Sequence, residues 1–213
     1  METKAFNVSL EKNPLIKIKV IPGHFTTSNL HTNSYLDVSE LKSNAVIALD
    51  VAREMAIPYI SSKPVDTIVC MEKTEMIGAY IAQELIHEGR SISQGNAIHV
   101  VSPINNAYGN LAFADSVAGW ISGKNILLLL ATVSSGRTLN ISLDCISYYG
   151  GKLAGISALY VSSDVRLGQE IFPMFTSDDI PGYKLFNHSD CDMCKAGQKL
   201  DAIISSEGYT KIT

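Results

Sequence analysis

Apolar positions recur along this chain with two different periods. Residues 15–21 alternate, with Ile16, Ile18 and Val20 on one side and Lys17 and Lys19 on the other, which predicts a half-solvated strand. Residues 40–56 place Leu41, Ala45, Ala48, Ala52 and Met55 at helical spacing, and Pro58 then stops the helix. Beyond Lys63-Pro64 the apolar run 65–70 predicts a short strand, followed by a helix from about Glu75 to His87 that Gly89 ends. The alternation repeats with a strand at 97–101, an irregular stretch at 102–123, and a strand at 125–131. After a loop at 132–136 come a helix at 137–149, a stop at Gly150-Gly151, and a strand at 153–161.

Apolar strands without period-two alternation, separated by helices, predict an α/β fold: a Rossmann-like parallel sheet of about five strands, flanked by helices on both faces. Ligands of such sheets sit beyond the carboxyl ends of the strands, which directs attention to the loops at 71–76 and 132–137. The tail after Ser162 is more polar and carries Pro173 and Pro181. It reads, with the N-terminal segment, as a small hood on the main sheet. No repeat or linker divides the chain, so residues 1–213 form one domain, with a core at about 40–162 and hood segments at about 14–39 and 163–213.

Composition narrows the class. With 46% hydrophobic and 18% charged residues, the chain has ample material for a core and no signature of disorder. A formal net charge of -4 argues against a broadly basic nucleic-acid surface. The longest apolar run, 126–131, has the length of one buried strand rather than a membrane span. The first residues open no signal-peptide core. Four cysteines, two of them (Cys70 and Cys145) in apolar segments, do not make a disulfide scaffold. A soluble protein of a reducing, cytoplasmic compartment is expected.

The most informative segment runs from Leu127 to Thr138. A buried strand enters a turn of small residues, and the turn opens a helix. Ser134, Ser135 and Thr138 supply hydroxyls, and Gly136 allows close backbone approach. Arg137 adds a fixed cation beside unpaired helix N–H groups. A phosphate monoester suits such a turn; an ordinary Ser/Thr helix cap would leave the same pattern.

Strand, turn, Ser-Ser-Gly-Arg-Thr and helix resemble the phosphoribosyl diphosphate (PRPP) loop of the type I phosphoribosyltransferases. The segment Pro22–Tyr35 is similar to the N-terminal segment of the orotate phosphoribosyltransferase branch, and the tail Cys191–Gly197 to a Cys-x-x-Cys-Lys-x-Gly tail of some members. The resemblance spans roughly 14–200. It implies transfer of a phosphoribosyl group from PRPP to a pyrimidine-like base, with Mg²⁺, in a homodimer. It places phosphate at Ser134, Ser135, Gly136, Arg137 and Thr138, pyrophosphate at Glu72, Lys73 and Thr74, and the base near His31 and Tyr35.

Two departures bear on catalysis. Active members carry two adjacent acidic residues at the end of the loop strand, where they hold the ribose hydroxyls. Here the positions are Leu130 and Ala131, and no Asp or Glu lies between 116 and 143. The stretch 102–123, which corresponds to a mobile cationic loop over the active site, contains no Lys, Arg or His. Its Asn105, Asn106, Tyr108 and Asn110 offer neutral contacts, or else a plain hairpin turn. Glu72 and Glu75 either replace the acidic pair in part or simply begin a helix, where acidic residues favour the dipole. The alternative function is a non-catalytic module that keeps the 5′-phosphate cradle and binds a nucleotide.

Cys191 and Cys194, with His188 three residues before the first, provide three ligands of a tetrahedral Zn²⁺ site, the fourth being Asp190, a water or a partner subunit. The other reading is a reduced, purely structural remnant of the tail.

Overall fold

The computed structural model describes residues 2–61, 64–88, 97–105, 110–162, 168–205 and 208–212. The helix stop expected at Gly89 and the residues Asn106, Ala107, Tyr108 and Gly109 lie outside them. β1 (Phe6–Leu10), β2 (Asn13–Thr26) and β3 (Leu30–Asp37) form an antiparallel meander. Along β2 the alternation behaves as its sequence requires: Ile16, Ile18 and Val20 are buried while Lys17 and Lys19 face solvent.

The helix expected over 40–56 is two helices, α1 (Ser39–Ser43) and α2 (Ala45–Ala56). Asn44 separates them. Its backbone is extended and its side chain accepts the amides of Val46 at 3.1 Å and Ile47 at 3.4 Å. Asparagine satisfies orphan helix donors better as a cap than it serves a helix interior, so it restarts the helix instead of continuing it. Next come β4 (Thr67–Cys70), α3 (Glu75–Glu88) and β5 (His99–Val101). The irregular stretch holds a short hairpin, β6 (Ile104–Asn105) and β7 (Leu111–Ala112), and a single-turn helix, α4 (Asp115–Ala118). β8 (Asn125–Val133) runs two residues beyond the expected strand before α5 (Arg137–Tyr148) and β9 (Lys152–Val161).

The tail supplies β10 (Phe172–Thr176), β11 (Leu185–Asn187), α6 (Asp192–Lys195), β12 (Ala202–Ser205) and β13 (Gly208–Lys211). It does more than cap the sheet. β10 joins it, giving a five-stranded, all-parallel order of β10-β9-β8-β4-β5. The other three tail strands complete a second sheet with the N-terminal meander, in the order β11-β3-β2-β12-β13 with β1 on β2. The hood is therefore one sheet woven from both ends of the chain.

β8 explains why the parallel sheet is covered on both faces. Its Leu127, Leu129 and Ala131 pack with Val51 and Met55 of α2 and Ile77 and Ile81 of α3. Its Ile126, Leu128 and Leu130 pack with Leu139, Cys145 and Ile146 of α5. Each such leucine contributes about 2 kcal/mol by leaving water. Gly78 lets α3 approach β4 closely, since a Cβ there would stand 2.5 Å from Cys70 Sγ. Among the described residues, no helix is long and apolar enough to cross a membrane.

Candidate functional site

The turn between β8 and α5 is shaped by one residue. Gly136 adopts φ 75°, a left-handed conformation that costs other residues about 1–2 kcal/mol. It occupies the N-cap of α5, and no side chain caps that helix in spite of Ser134, Ser135 and Thr138 around it. Among the described residues, no backbone acceptor takes the amides of Ser135, Gly136, Arg137 and Thr138. An ordinary serine cap would have used its hydroxyl on these donors. Arg137 reaches across to the hood, where its Nη1 donates to Asn29 Oδ1 at 3.3 Å.

A cleft of about 330 Å³ separates this end of the parallel sheet from the hood. Ser134 and Thr132 line it from β8 and the turn, Lys42 from α1, and Ser34, Tyr35 and Tyr183 from the hood side. A neighbouring cavity of about 360 Å³ carries Ser102, Asn105 and Thr138 on its walls. Glu72 and Lys73 border both spaces.

Glu72 is the pivot of this arrangement. Both Glu72 and Lys73 have left-handed backbones, with φ 54° and 64°. Two consecutive non-glycine residues in that region store strain that the surroundings must hold in place. One holding contact is the Glu72 carboxylate, whose Oε2 accepts the amides of Ala131 and Thr132 at 3.0 Å each. Another is Lys42, whose Nζ donates to the Glu72 carbonyl at 2.8 Å. Burial pushes the Glu72 carboxyl above its ordinary value, against the two amides and the Lys42 ammonium, which hold it down. Burial likewise lowers the affinity of Lys42 for its proton, opposed chiefly by the Glu72 charge.

The structure distributes the expected site residues unevenly. Ser134, Ser135, Gly136, Arg137 and Thr138, expected at the phosphate, form one continuous turn, with Ser134 lining the cleft and Thr138 the neighbouring cavity. Thr74, expected at the pyrophosphate, is fully buried, and its hydroxyl donates to the Met71 carbonyl at 2.9 Å. It closes the corner before α3 and does not face the cleft. Glu75 accepts from the Ser102 hydroxyl in the first turn of α3. Tyr35 lines the cleft, and burial pushes its phenol above the ordinary value.

His31, expected beside the base, lies elsewhere. Its Nδ1 stands 3.1 Å from His24 Nε2 and 3.3 Å from Cys194 Sγ. His24, His31, Cys191 and Cys194 bring one donor atom each within 4.8 Å of one another. His188, expected as a ligand with the cysteine pair, is outside this group of four. Its ring packs 4.7 Å from that of His31, and its Nε2 is 3.4 Å from the Thr26 hydroxyl. Cys70 and Cys145 are buried core residues, and burial pushes the Cys70 thiol up to about 12.

Two residues escaped sequence reasoning. Lys42 looks like a solvated lysine in the sequence, and its bond to the Glu72 carbonyl, thirty residues further on, brings it to the cleft. His24 stands in a segment already of interest, at seven residues before His31, but its partners lie far along the chain.

No family model matches the sequence, and no curated protein matches it. Among solved structures, the chain is similar to the orotate phosphoribosyltransferase of Mycobacterium tuberculosis H37Rv, with a TM-score of 0.52 at 13% identity over 75% of this chain and 90% of that one. It is also similar to the UMP synthase of Leishmania donovani, with a TM-score of 0.51 at 17% identity, over 70% of this chain but 31% of that longer one. These likenesses establish the fold: it is that of the type I phosphoribosyltransferases.

Proposed function

We propose that, on this type I phosphoribosyltransferase fold, the cleft between hood and sheet binds a ribose 5′-phosphate compound, either PRPP or a nucleoside 5′-monophosphate. The reaction assigned to it is orotate phosphoribosyltransferase-like, moving the phosphoribosyl group of PRPP onto a pyrimidine-like base. The observation that carries this reading is the turn from Ser134 to Thr138, whose helix has no side-chain cap although three hydroxyl residues surround it. Uncapped amides at the positive end of a helix, with a fixed cation beside them, suit a doubly charged phosphate.

The remaining roles follow from position. The ribose diol needs a charged acceptor, and β8 offers none, because the side chains of Leu130 and Ala131 are packed into the core. Glu72 supports the role from the adjacent loop, since its carboxylate is bonded to the amides of Ala131 and Thr132 at the end of that strand. Lys73 and Lys42 line the cleft and support a role in neutralising the charge that departing pyrophosphate gathers, where fixed cations would be the largest catalytic contribution. Magnesium typically relies on one or two carboxylates plus substrate phosphates, and Glu72 is the cleft carboxylate that fits this use. Tyr35 and Tyr183 form the side of the cleft suited to a flat base.

A second reading, a non-catalytic nucleotide-binding module, is favoured by the absence of Lys, Arg and His from residues 102–123. Thermal shift with PRPP, orotate, orotidine and uridine monophosphates, followed by a turnover assay, separates the two. Stabilisation by PRPP with orotate turnover supports the transferase; stabilisation by a monophosphate without turnover supports the module. No stabilisation by any phosphorylated ribose overturns both. Light scattering on the same sample tests the homodimer that the fold resemblance implies.

A further inference from the structure

The tail crosses the β2–β3 hairpin at a point where four side chains from three segments converge. His24 Nε2 is 3.5 Å from Cys191 Sγ and 3.7 Å from Cys194 Sγ. His31 Nδ1 is 3.1 Å from His24 Nε2 and 3.3 Å from Cys194 Sγ. Zinc bonds of about 2.0–2.3 Å to nitrogen and sulfur set tetrahedron edges of roughly 3.3–3.8 Å, and the four separations fall in or near that range.

Surrounding bonds aim these donors inward. His24 Nδ1 lies 3.0 Å from the Gln198 carbonyl. That oxygen can only accept, so the ring proton belongs on Nδ1 and the Nε2 lone pair points into the cluster. Asp201 clamps the same residue: its carboxylate accepts the His24 amide at 2.7 Å, and its own amide donates to the His24 carbonyl at 2.7 Å. The Lys195 amide donates to the Cys191 carbonyl at 3.0 Å, and Gly197 turns the chain with φ 72°, so both thiols of the Cys-x-x-Cys turn face one way. His24, His31 and Cys191 are buried. Buried donors converging on one point are costly unless something there satisfies them together.

We propose that His24, His31, Cys191 and Cys194 bind one Zn²⁺ in a closed Cys₂His₂ site whose role is structural. Binding deprotonates the two thiols and releases their protons; two thiolates then balance the dication, which leaves a neutral centre suited to burial. Four protein ligands leave no position for a substrate. The ion stitches the tail to the hairpin that carries Thr32, Ser34 and Tyr35, and so fixes the hood wall of the cleft. His188 is not a ligand. The assignment is independent of the proposed activity.

The test uses the full chain, purified without chelator. Elemental analysis is expected to give one zinc per chain, and replacement by Co²⁺ to give the visible absorption of tetrahedral cobalt with thiolate charge transfer. Cys194→Ser and His31→Gln should lower bound zinc at least tenfold, while His188→Ala keeps it. Because the first two variants risk misfolding, the wild-type cobalt spectrum and the His188→Ala zinc content are decisive alone. A wild-type chain with less than a tenth of an equivalent of zinc and no tetrahedral cobalt spectrum overturns the site. So does loss of zinc from His188→Ala.

Discussion

The Glu72 carboxylate, from the loop after β4, accepts the amide of Ala131 in β8 at 3.0 Å. This bond joins the ends of two neighbouring parallel strands and puts a carboxyl group beside a strand whose own side chains carry none. The carboxyl group lining the cleft thus comes from the loop after β4 and not from β8.

Glu72→Gln separates the carboxylate's structural and functional parts. The folded Glu72 carboxyl holds its proton more tightly than the unfolded one, because burial raises its pKa. Its contribution to stability is therefore full below the ordinary carboxylate value and is lost as pH rises through the raised one. Glutamine keeps an acceptor for the two amides without the charge. The variant should melt no lower than the native chain at neutral pH and show a flatter melting profile as pH rises from the ordinary carboxylate range through the raised one. Its affinity for PRPP should fall about tenfold, within the range for lost hydrogen bonds to charged groups. An unaltered pH profile together with unaltered affinity would remove Glu72 from the site.

Arg137→Ala should weaken monophosphate binding by about 1–3 kcal/mol, the range for a hydrogen bond to a charged group. Its contact with Asn29 is between exposed groups, so melting should change little. Calorimetric titration measures the affinity, and an unchanged dissociation constant would dissociate the turn from phosphate.

Gly78→Ala tests the packing that sets the position of the Glu72 loop. The added Cβ would meet Cys70 Sγ at 2.5 Å and Val100 Cγ1 at 3.2 Å. Overpacking of this kind costs about 1–3 kcal/mol, so at roughly 2–4 °C per kcal/mol for a chain of this size the melting temperature should drop by about 2–12 °C. A variant that melts with the native chain would show that α3 has room to retreat from β4.

Asn44→Ala removes the side chain that accepts the Val46 and Ile47 amides. The loss of such a cap costs about 1 kcal/mol. Differential scanning calorimetry should register a fall of a few degrees, and no change would mean that α1 and α2 merge into the single helix their spacing suggests.

The parallel sheet was legible because its strands are apolar throughout: Leu127 to Leu130 leaves little choice but a strand buried on both faces. β3 was not, since its buried positions include His31, Thr32 and Ser34, polar groups whose burial depends on hood partners rather than on periodicity. β11, β12 and β13 have three, four and four residues, too few to carry a period. In the cleft, the turn around Gly136 could be read locally because its parts are adjacent in sequence. Glu72 could be named from the sequence as a cleft contact, but its bond to the amides of Ala131 and Thr132 could not be read, since it depends on two left-handed residues where glycine is usual. The partnership of His24 with Cys191 spans 167 residues, beyond the reach of any local pattern.

The central claim is that the main-chain turn from Ser134 to Thr138 receives a phosphate. Amide chemical shifts followed during titration with uridine monophosphate address it directly. The largest changes are expected at Ser135, Gly136, Arg137 and Thr138, saturating at one ligand per chain. Saturable binding that leaves those four amides unmoved, or no binding of any phosphorylated ribose, would contradict it.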